Sequence, residues 1–342
     1  MTYEPLVGTK GSANTSKRSL VGRLALFASG VLLGSALTMT TLQLSSHLGP
    51  AGLISTSNAG AEDSSSSFAL YRRDAPTAPI PDSVASREEF RFGFPAPVSD
   101  LGINKRFVTV FDRRTRNPHW AAEYLTKQNL LPEDPNSPPS REENFHPDST
   151  IPEQFRTTLA AYSKSGFDRG HQAPAADAKV NQDALDETFV LSNMAPQVGI
   201  GFNRNYWAYL ENFARDLTTR FDHVHLFTGP LYINNGTTAS DGKRYVNYQV
   251  LAGTSASGPE VAVPTHFYKV ILVSKGDIAS PSSQALGAFI LPNAAISSTK
   301  PLTDFKVPVE TVEAAAGVVF FDKINHATVP KLCDTTTCAV VR

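Results

Sequence analysis

The chain has 342 residues, 41% of them hydrophobic and 18% charged, with a formal net charge of −1. That length allows one large domain or two small ones with a sizeable core. So even a charge excludes a static coat on nucleic acid, which needs a clear basic excess, but leaves room for a hydrolase with a local basic patch.

Residues 1–23 carry Lys10, Lys17, Arg18 and Arg23 against a single acid, Glu4, amid frequent Ser and Thr. From Leu24 to Leu44 there is no charge, a run about long enough to cross a bilayer as a helix. Three readings compete: a mitochondrial targeting sequence followed by an inner-membrane anchor or sorting signal, a secretory signal or signal anchor, and a buried core helix. The run's isolation from other periodic segments speaks against the third, and the basic, acid-poor flank suits the first. Residues 45–88 are rich in Ser, Ala, Gly and Pro, a composition that buries too little surface to order itself. The expected organisation is a targeting and anchor segment at 1–48, a linker at 49–88 and one catalytic domain at 89–342.

Within that domain, Arg106–Phe111 is β-branched and aromatic and reads as a strand. A turn at Asn117-Pro118 and a second strand at Trp120–Leu125 complete a hairpin. Residues 131–153 are polar and Pro-rich and read as a long loop. Phe189–Leu191 is a short apolar run. Asn203–Arg220 places Trp207, Leu210, Ala214 and Leu217 at helical spacing. Strands are expected at His223–Thr228, Val261–Val263, Phe267–Val273 and Ala288–Leu291, and a short helix at Val309–Ala316, ended by Gly317. Cys333 and Cys338 are too few for a disulfide framework or a structural zinc site. Their spacing permits one small loop; free thiols are the expectation, because a core this large requires no staple. The pattern is that of a mixed α+β domain.

Two clusters could carry chemistry. Phe167–His171 reads FDRGH. It supplies an acid, a guanidinium suited to phosphate, a glycine that lets the chain turn, and an imidazole able to take a proton near neutral pH. Alone, it reads as an ordinary turn with a solvated ion pair. The second cluster is LSNMAPQ at 191–197, then GFNRNYW at 201–207 and Leu210-Glu211. Asn203, Trp207 and Glu211 follow one another at four-residue steps and share a broad helical face. An amide oxygen and a carboxylate on that face can hold a hydrated hard cation. By spacing alone, Asn203 could instead be a helix cap and Glu211 a solvated surface group.

Taken together, DRGH, LSN-x-x-PQ and N-x-N-x-W-x-x-L-E resemble the DNA/RNA non-specific nuclease family with the ββα-metal fold, most closely its mitochondrial endonuclease G branch and that branch's fungal members. The resemblance runs from about Phe92 to the C-terminus and extends to YSKSGFDRGHQAPAA at 162–176, FTGPLY at 227–232 and VPTHF at 263–267. It implies a central mixed or antiparallel sheet flanked by helices. It also implies roles: His171 as general base, Asn203 as sole direct protein ligand of Mg²⁺ (or Mn²⁺), and Glu211 as the carboxylate that orients water on the metal. Arg169 becomes a phosphate contact, Asn193 a support of the site, Arg141 a second phosphate-contacting arginine and Asp168 a structural partner. Further implications are DNA and RNA as substrates, 5′-phosphate products, a homodimer, and mitochondrial residence with relocation to the nucleus in DNA degradation or cell death. The runners-up are a secreted nuclease of the same fold and a non-catalytic nucleic-acid-binding protein.

Other residues invite weaker readings. Lys105, Arg106, Arg113, Arg114 and Arg116 could form a phosphate track or simply a charged hairpin edge. His223 and His225 alternate on a strand and read as structural, and Trp207 reads as core rather than as a base-stacking platform.

Overall fold

In a computed structural model the described residues are 84, 86–94, 100–234, 236–251 and 260–342. The expected targeting and anchor segment at 1–48, and nearly all of the linker at 49–88, lie outside them. No helix among the described residues is long and apolar enough to cross a membrane.

The strands are β1 (Asp100–Ile103), β2 (Phe107–Asp112), β3 (Asn117–Leu125), β4 (Phe167–His171), β5 (Met194–Val198), β6 (His223–Leu231), β7 (Val250–Leu251), β8 (Val261–Ala262), β9 (His266–Lys275), β10 (Ser283–Pro292) and β11 (Lys306–Val307). Seven of them form one sheet in the order β1-β2-β3-β6-β9-β10-β11, while β4-β5 and β7-β8 form separate ribbons. Every strand pair is antiparallel. The helices are α1 (Leu159–Tyr162), α2 (Gln182–Glu187), α3 (Ala208–Asp216), α4 (Val309–Ala316) and α5 (Leu332–Thr335). The architecture is α+β, as expected.

Alternation along the strands divides the core into two layers. Phe267, Ile271 and Val273 of β9 join Leu125, Leu226 and Phe289 on one face, which packs against Trp207, Leu210, Phe213 and Ala214. Tyr268, Val270 and Leu272 point the other way, toward Val309 and Val312 of α4 and toward Phe90, Phe320 and Phe321. Trp207 is thus a core residue, 1% exposed. Helix α4 ends where expected, at Gly317, whose φ of 72° closes it.

Several expectations are corrected. The hairpin turn lies at 113–116, where Arg116 has φ 54°, and Asn117-Pro118 already belongs to β3. Asn117 is fully buried and cross-links the chain, its Nδ2 donating to Thr115 O at 3.1 Å and Ala262 O at 2.7 Å. Pro118 pairs with Phe111 beside a bulge, where a missing N–H is tolerated. The helix expected from Asn203 to Arg220 has three parts: wide π-helical turns at Gly199–Trp207, then α3, then a tight turn at Leu217–Thr219. A kink at Ile200 and Gly201 opens it. Gly201 takes φ 87°, and a Cβ there would meet Ala295 Cβ at 2.6 Å. The cysteines are paired rather than free: Cys333 and Cys338 form a disulfide across α5. The chain beyond α5 is tied down by that bond and by the hydrogen bonds of Val341 to Tyr209 and Asn212.

Candidate active site

The FDRGH segment is not a turn. It is strand β4, paired with β5 in the register Asp168↔Gln197, Gly170↔Ala195 and His171↔Met194. Gly170 is required for space rather than for turning, since a Cβ there would lie 2.1 Å from the Gln197 side chain. The strand's period of two puts Phe167, Arg169 and His171 on one face. The chain then leaves β5 through the kinked π-helical turns into α3. Two strands and a helix thus bring the two sequence clusters together around one cleft of about 830 Å³. Arg141, Arg169, His171, Asn203 and Glu211 all line it.

His171 is packed edge-on to Phe189, with centroids 5.1 Å apart, and lies 5.8 Å from the Phe145 ring. Its Nε2 is buried without a hydrogen-bond partner. Burial first, then the charges of Arg141 and Arg169, push its pKa down to about 3. The imidazole is therefore neutral at physiological pH. Arg169 lies over the Phe145 ring at 3.9 Å, and Arg141 over the Phe189 ring at 5.5 Å with Glu143 at 3.5 Å. The two aromatic rings thus seat both guanidiniums beside the imidazole.

Asp168 organises the far wall. It accepts two hydrogen bonds from Arg204, at 2.7 and 2.6 Å, and one from Asn203 Nδ2 at 2.9 Å. Burial opposes its charge, but the bonds from Arg204 and Asn203 outweigh it and hold the carboxyl below its ordinary range. With its nitrogen committed to Asp168, Asn203 has its carbonyl oxygen left as the atom that could meet a cation. Glu211, two turns further along, is held at about pKa 7, chiefly by burial against the opposing pull of Lys269 and Arg215.

Asn193 does not reach the cleft. It is fully buried, accepts from Ala173 N at 3.0 Å, and donates to Ala173 O and Thr188 O at 2.9 Å. It ties the exit of β4 to the entrance of β5 and so acts as a strut. Arg215 escaped the sequence reading, although it follows Glu211 by one helical turn on α3. Its Nη1 donates to the buried Asp177 at 2.5 Å, and its charge bears on Glu211.

Among the described residues no three His, Cys, Asp or Glu gather as a chelating set. Zinc, which asks for three or four protein ligands, does not fit this donor set. A hard cation that keeps most of its water and takes one or two protein oxygens does fit an amide oxygen with a carboxylate nearby.

The hairpin cations are largely spoken for. Arg113 pairs with Asp100, Lys105 with Asp183 at 2.5 Å, and Arg116 donates to Arg156 O at 3.3 Å. That favours the charged-edge reading over a phosphate track. His223 bonds Tyr124 Oη at 2.6 Å and Gly276 O at 3.0 Å, away from the cleft, and His225 is buried beside Phe92 and Tyr124.

The sequence profile of the DNA/RNA non-specific endonuclease family matches residues 85–327. The chain is 42% identical over 333 residues to a nuclease of Syncephalastrum racemosum, covering 97% of both chains. It is 51% identical over 258 residues to nuclease C1 of Cunninghamella echinulata var. echinulata, covering 75% of this chain and 97% of that one. With the mitochondrial nuclease of Saccharomyces cerevisiae it shares 43% identity over 254 residues, 74% of each chain. Its fold is similar to the crystal structure of an EndoG/EndoGI complex, with a TM-score of 0.64 and 38% identity over 74% of this chain and 96% of that one. The β4-β5-helix unit is the ββα-metal nuclease fold, and the chain belongs to the DNA/RNA non-specific endonuclease family and is an endonuclease.

Proposed function

We propose that the chain hydrolyses phosphodiester bonds in both DNA and RNA, with Mg²⁺ (or, in its place, Mn²⁺) held at Asn203. The supporting observation is that Arg141, Arg169, His171, Asn203 and Glu211 all line one cleft. Neutral His171 accepts the proton of the attacking water. Substrate phosphate would offset the charges of Arg141 and Arg169, the two causes that follow burial in depressing the imidazole, and so would raise its basicity in part. The two arginines hold the phosphate and meet the charge that grows on it. Glu211, when ionised, accepts hydrogen bonds from water and fixes its direction. Asp168 holds Asn203 in the orientation that points its oxygen outward, and Asn193 keeps the β4-β5 ribbon in register. Bound at Asn203, a divalent cation would supply Lewis-acid stabilisation of the phosphoryl and leaving oxygens.

No step uses the ribose 2′-hydroxyl, so both sugars are accepted; a cation helping the 3′-oxygen to leave would give products with 5′-phosphate and 3′-hydroxyl ends. Plasmid nicking and RNA cleavage with Mg²⁺ and with EDTA, followed by end-labelling of the products, test this reading. Products with 3′-phosphate ends, or activity unchanged by EDTA, overturn it.

We also propose residence in mitochondria, held by the N-terminal 1–48 segment at the inner membrane through a linker at 49–88, with the domain at 89–342 acting as a homodimer in DNA degradation. Names of relatives such as the Saccharomyces mitochondrial nuclease support that location. The Cys333–Cys338 disulfide supports an oxidising compartment, which the secretory route supplies equally well. A secreted nuclease is therefore the second reading. A fluorescent reporter fused to residues 1–60 separates them, since it labels mitochondria in the first case and enters the secretory route in the second.

A further inference from the structure

The chain from Ser140 to His146 crosses the rim of the cleft, and both ends of that span are fixed. At one end Ser140 N donates to Gln182 Oε1 at 2.9 Å and Gln182 Nε2 donates back to Ser140 O at 3.0 Å, which ties the span to the start of α2. At the other end His146 N donates to Phe189 O at 3.3 Å, Leu191 N donates to His146 O at 2.8 Å, and the Phe145 ring packs edge-on against Phe189. Between the anchors the side chains alternate. Arg141, Glu143 and Phe145 line the cleft, and Glu142 and Asn144 do not. The span thus holds an acid on the same wall as a proposed phosphate-binding arginine, with Glu143 Oε1 3.5 Å from Arg141 Nη2.

A site for a polyanion ordinarily shows a cationic excess. Here Arg141, Arg169 and Arg204 on the cleft wall face as many carboxyls, Glu143, Asp168 and Glu211. Two of the arginines are paired, and the pairs differ in kind. Arg204 is committed, giving Asp168 hydrogen bonds at 2.7 and 2.6 Å, and the same acid holds Asn203. Glu143 meets Arg141 at a distance long for a charged contact, and the Arg141 and Glu143 side chains are 53% and 61% exposed. Water screens such a pair, which makes it weak and exchangeable. Carboxylate and phosphate oxygens offer a guanidinium the same kind of acceptor. A phosphate can therefore take the place of Glu143, while the Phe189 ring, 5.5 Å from the guanidinium, still seats Arg141.

We propose that Glu143 is a specificity-determining residue that stands in for phosphate on Arg141: polynucleotide displaces it on binding, and it returns to the guanidinium as product leaves. This rests on the reading that Arg141 contacts substrate phosphate. The consequence is a cleft that takes up a polyanion by exchange of partners rather than by a standing basic excess. Nucleic acid is then held weakly enough to be released after cleavage. Glu142, the neighbouring acid outside the cleft lining, has no such role.

The test is equilibrium binding of a short fluorescein-labelled DNA duplex to the full chain in EDTA, where no divalent cation contributes. Both side chains are more than half exposed, so their substitution leaves the core untouched. At about 20 mM salt Glu143→Gln tightens binding about three- to fivefold, the range open to an exposed pair, and at about 300 mM salt the gain shrinks below about twofold. Glu142→Gln gains less than about twofold at either salt. In an Arg141→Ala background Glu143→Gln also gains less than about twofold, because there is no guanidinium left to release. With Mg²⁺ present, added product oligonucleotide inhibits Glu143→Gln at a concentration lower by a similar factor. Binding unchanged or weakened in Glu143→Gln, an equal gain in Glu142→Gln, an undiminished gain without Arg141, or unchanged inhibition by product each overturns the proposal. Arg141→Ala alone separates the two levels. If it leaves duplex affinity unchanged, the underlying reading of Arg141 fails; if it weakens binding while Glu143→Gln tightens nothing, only the role of Glu143 fails.

Discussion

Asp168→Asn isolates the support of the proposed metal ligand. The carboxylate accepts from Asn203 Nδ2 at 2.9 Å and from Arg204 at 2.7 and 2.6 Å. The Arg204 side chain is 64% exposed, so screening leaves its ion pair worth little, about 0–1 kcal/mol. The bond that matters is the one to Asn203, a hydrogen bond to a charged acceptor worth about 1.5–3 kcal/mol. An asparagine at 168 presents an amide that can donate as well as accept. It no longer forces the Asn203 nitrogen inward, and part of the population turns an N–H toward the cation. About 1.4 kcal/mol is a factor of ten, so the Mg²⁺ concentration for half-maximal nicking rises about tenfold, within the 10–100-fold usual for residues that orient a metal ligand. Saturating Mg²⁺ restores most of the rate, because the cleavage groups are intact. Arg204→Ala changes the half-saturation point less than about threefold. A Mg²⁺ titration of plasmid nicking reads all three. An unchanged midpoint in Asp168→Asn, or an equal shift in Arg204→Ala, refutes the orienting role.

Three other outcomes concern stability. Trp207→Ala empties a fully packed position between α3 and the sheet and costs about 3–5 kcal/mol in urea unfolding; a loss under about 1 kcal/mol contradicts its place in the core. Cys333→Ser opens a loop closed over five residues and lowers stability by about 2 kcal/mol with activity retained, measured by melting with and without reductant. Burial depresses His225 to about 3 from an ordinary 6.5, so its stabilising contribution is whole above 6.5 and is lost as pH falls toward 3, by up to about 1.4 kcal/mol per unit. His225→Leu therefore unfolds at lower pH than wild type in an acid titration; an unchanged midpoint contradicts the buried neutral ring.

Much of the sheet was legible because β2, β6 and β9 are rich in β-branched and aromatic residues, and the end of α4 was marked by its glycine. Strand β4 was not legible. FDRGH is polar and lies in a two-stranded ribbon whose pairing with Met194–Val198 has no local signature. The first half of β10, Ser283–Gly287, is too poor in β-formers to stand out, and β9 recruits it by pairing. The cleft residues were legible as two motifs, but not their mutual support. That Asp168 reaches Asn203 and Arg204 across 35 and 36 positions follows only from the fold. Two buried charged residues left a trace: Glu123 in WAAEYL and Lys269 in HFYKVIL are 2% and 1% exposed on otherwise apolar strands. Arg215 left another, one turn beyond Glu211.

On the proposed mechanism, His171 takes the proton of the attacking water in a cleft that Asn203 equips for a metal. Single-turnover cleavage of a short duplex by wild type and His171→Ala, at saturating enzyme with Mg²⁺ and at equal occupancy of substrate, tests it most directly. The expected result is a rate lower by about 10²–10⁴-fold in His171→Ala with substrate affinity preserved. Cleavage by His171→Ala at the wild-type rate would contradict it.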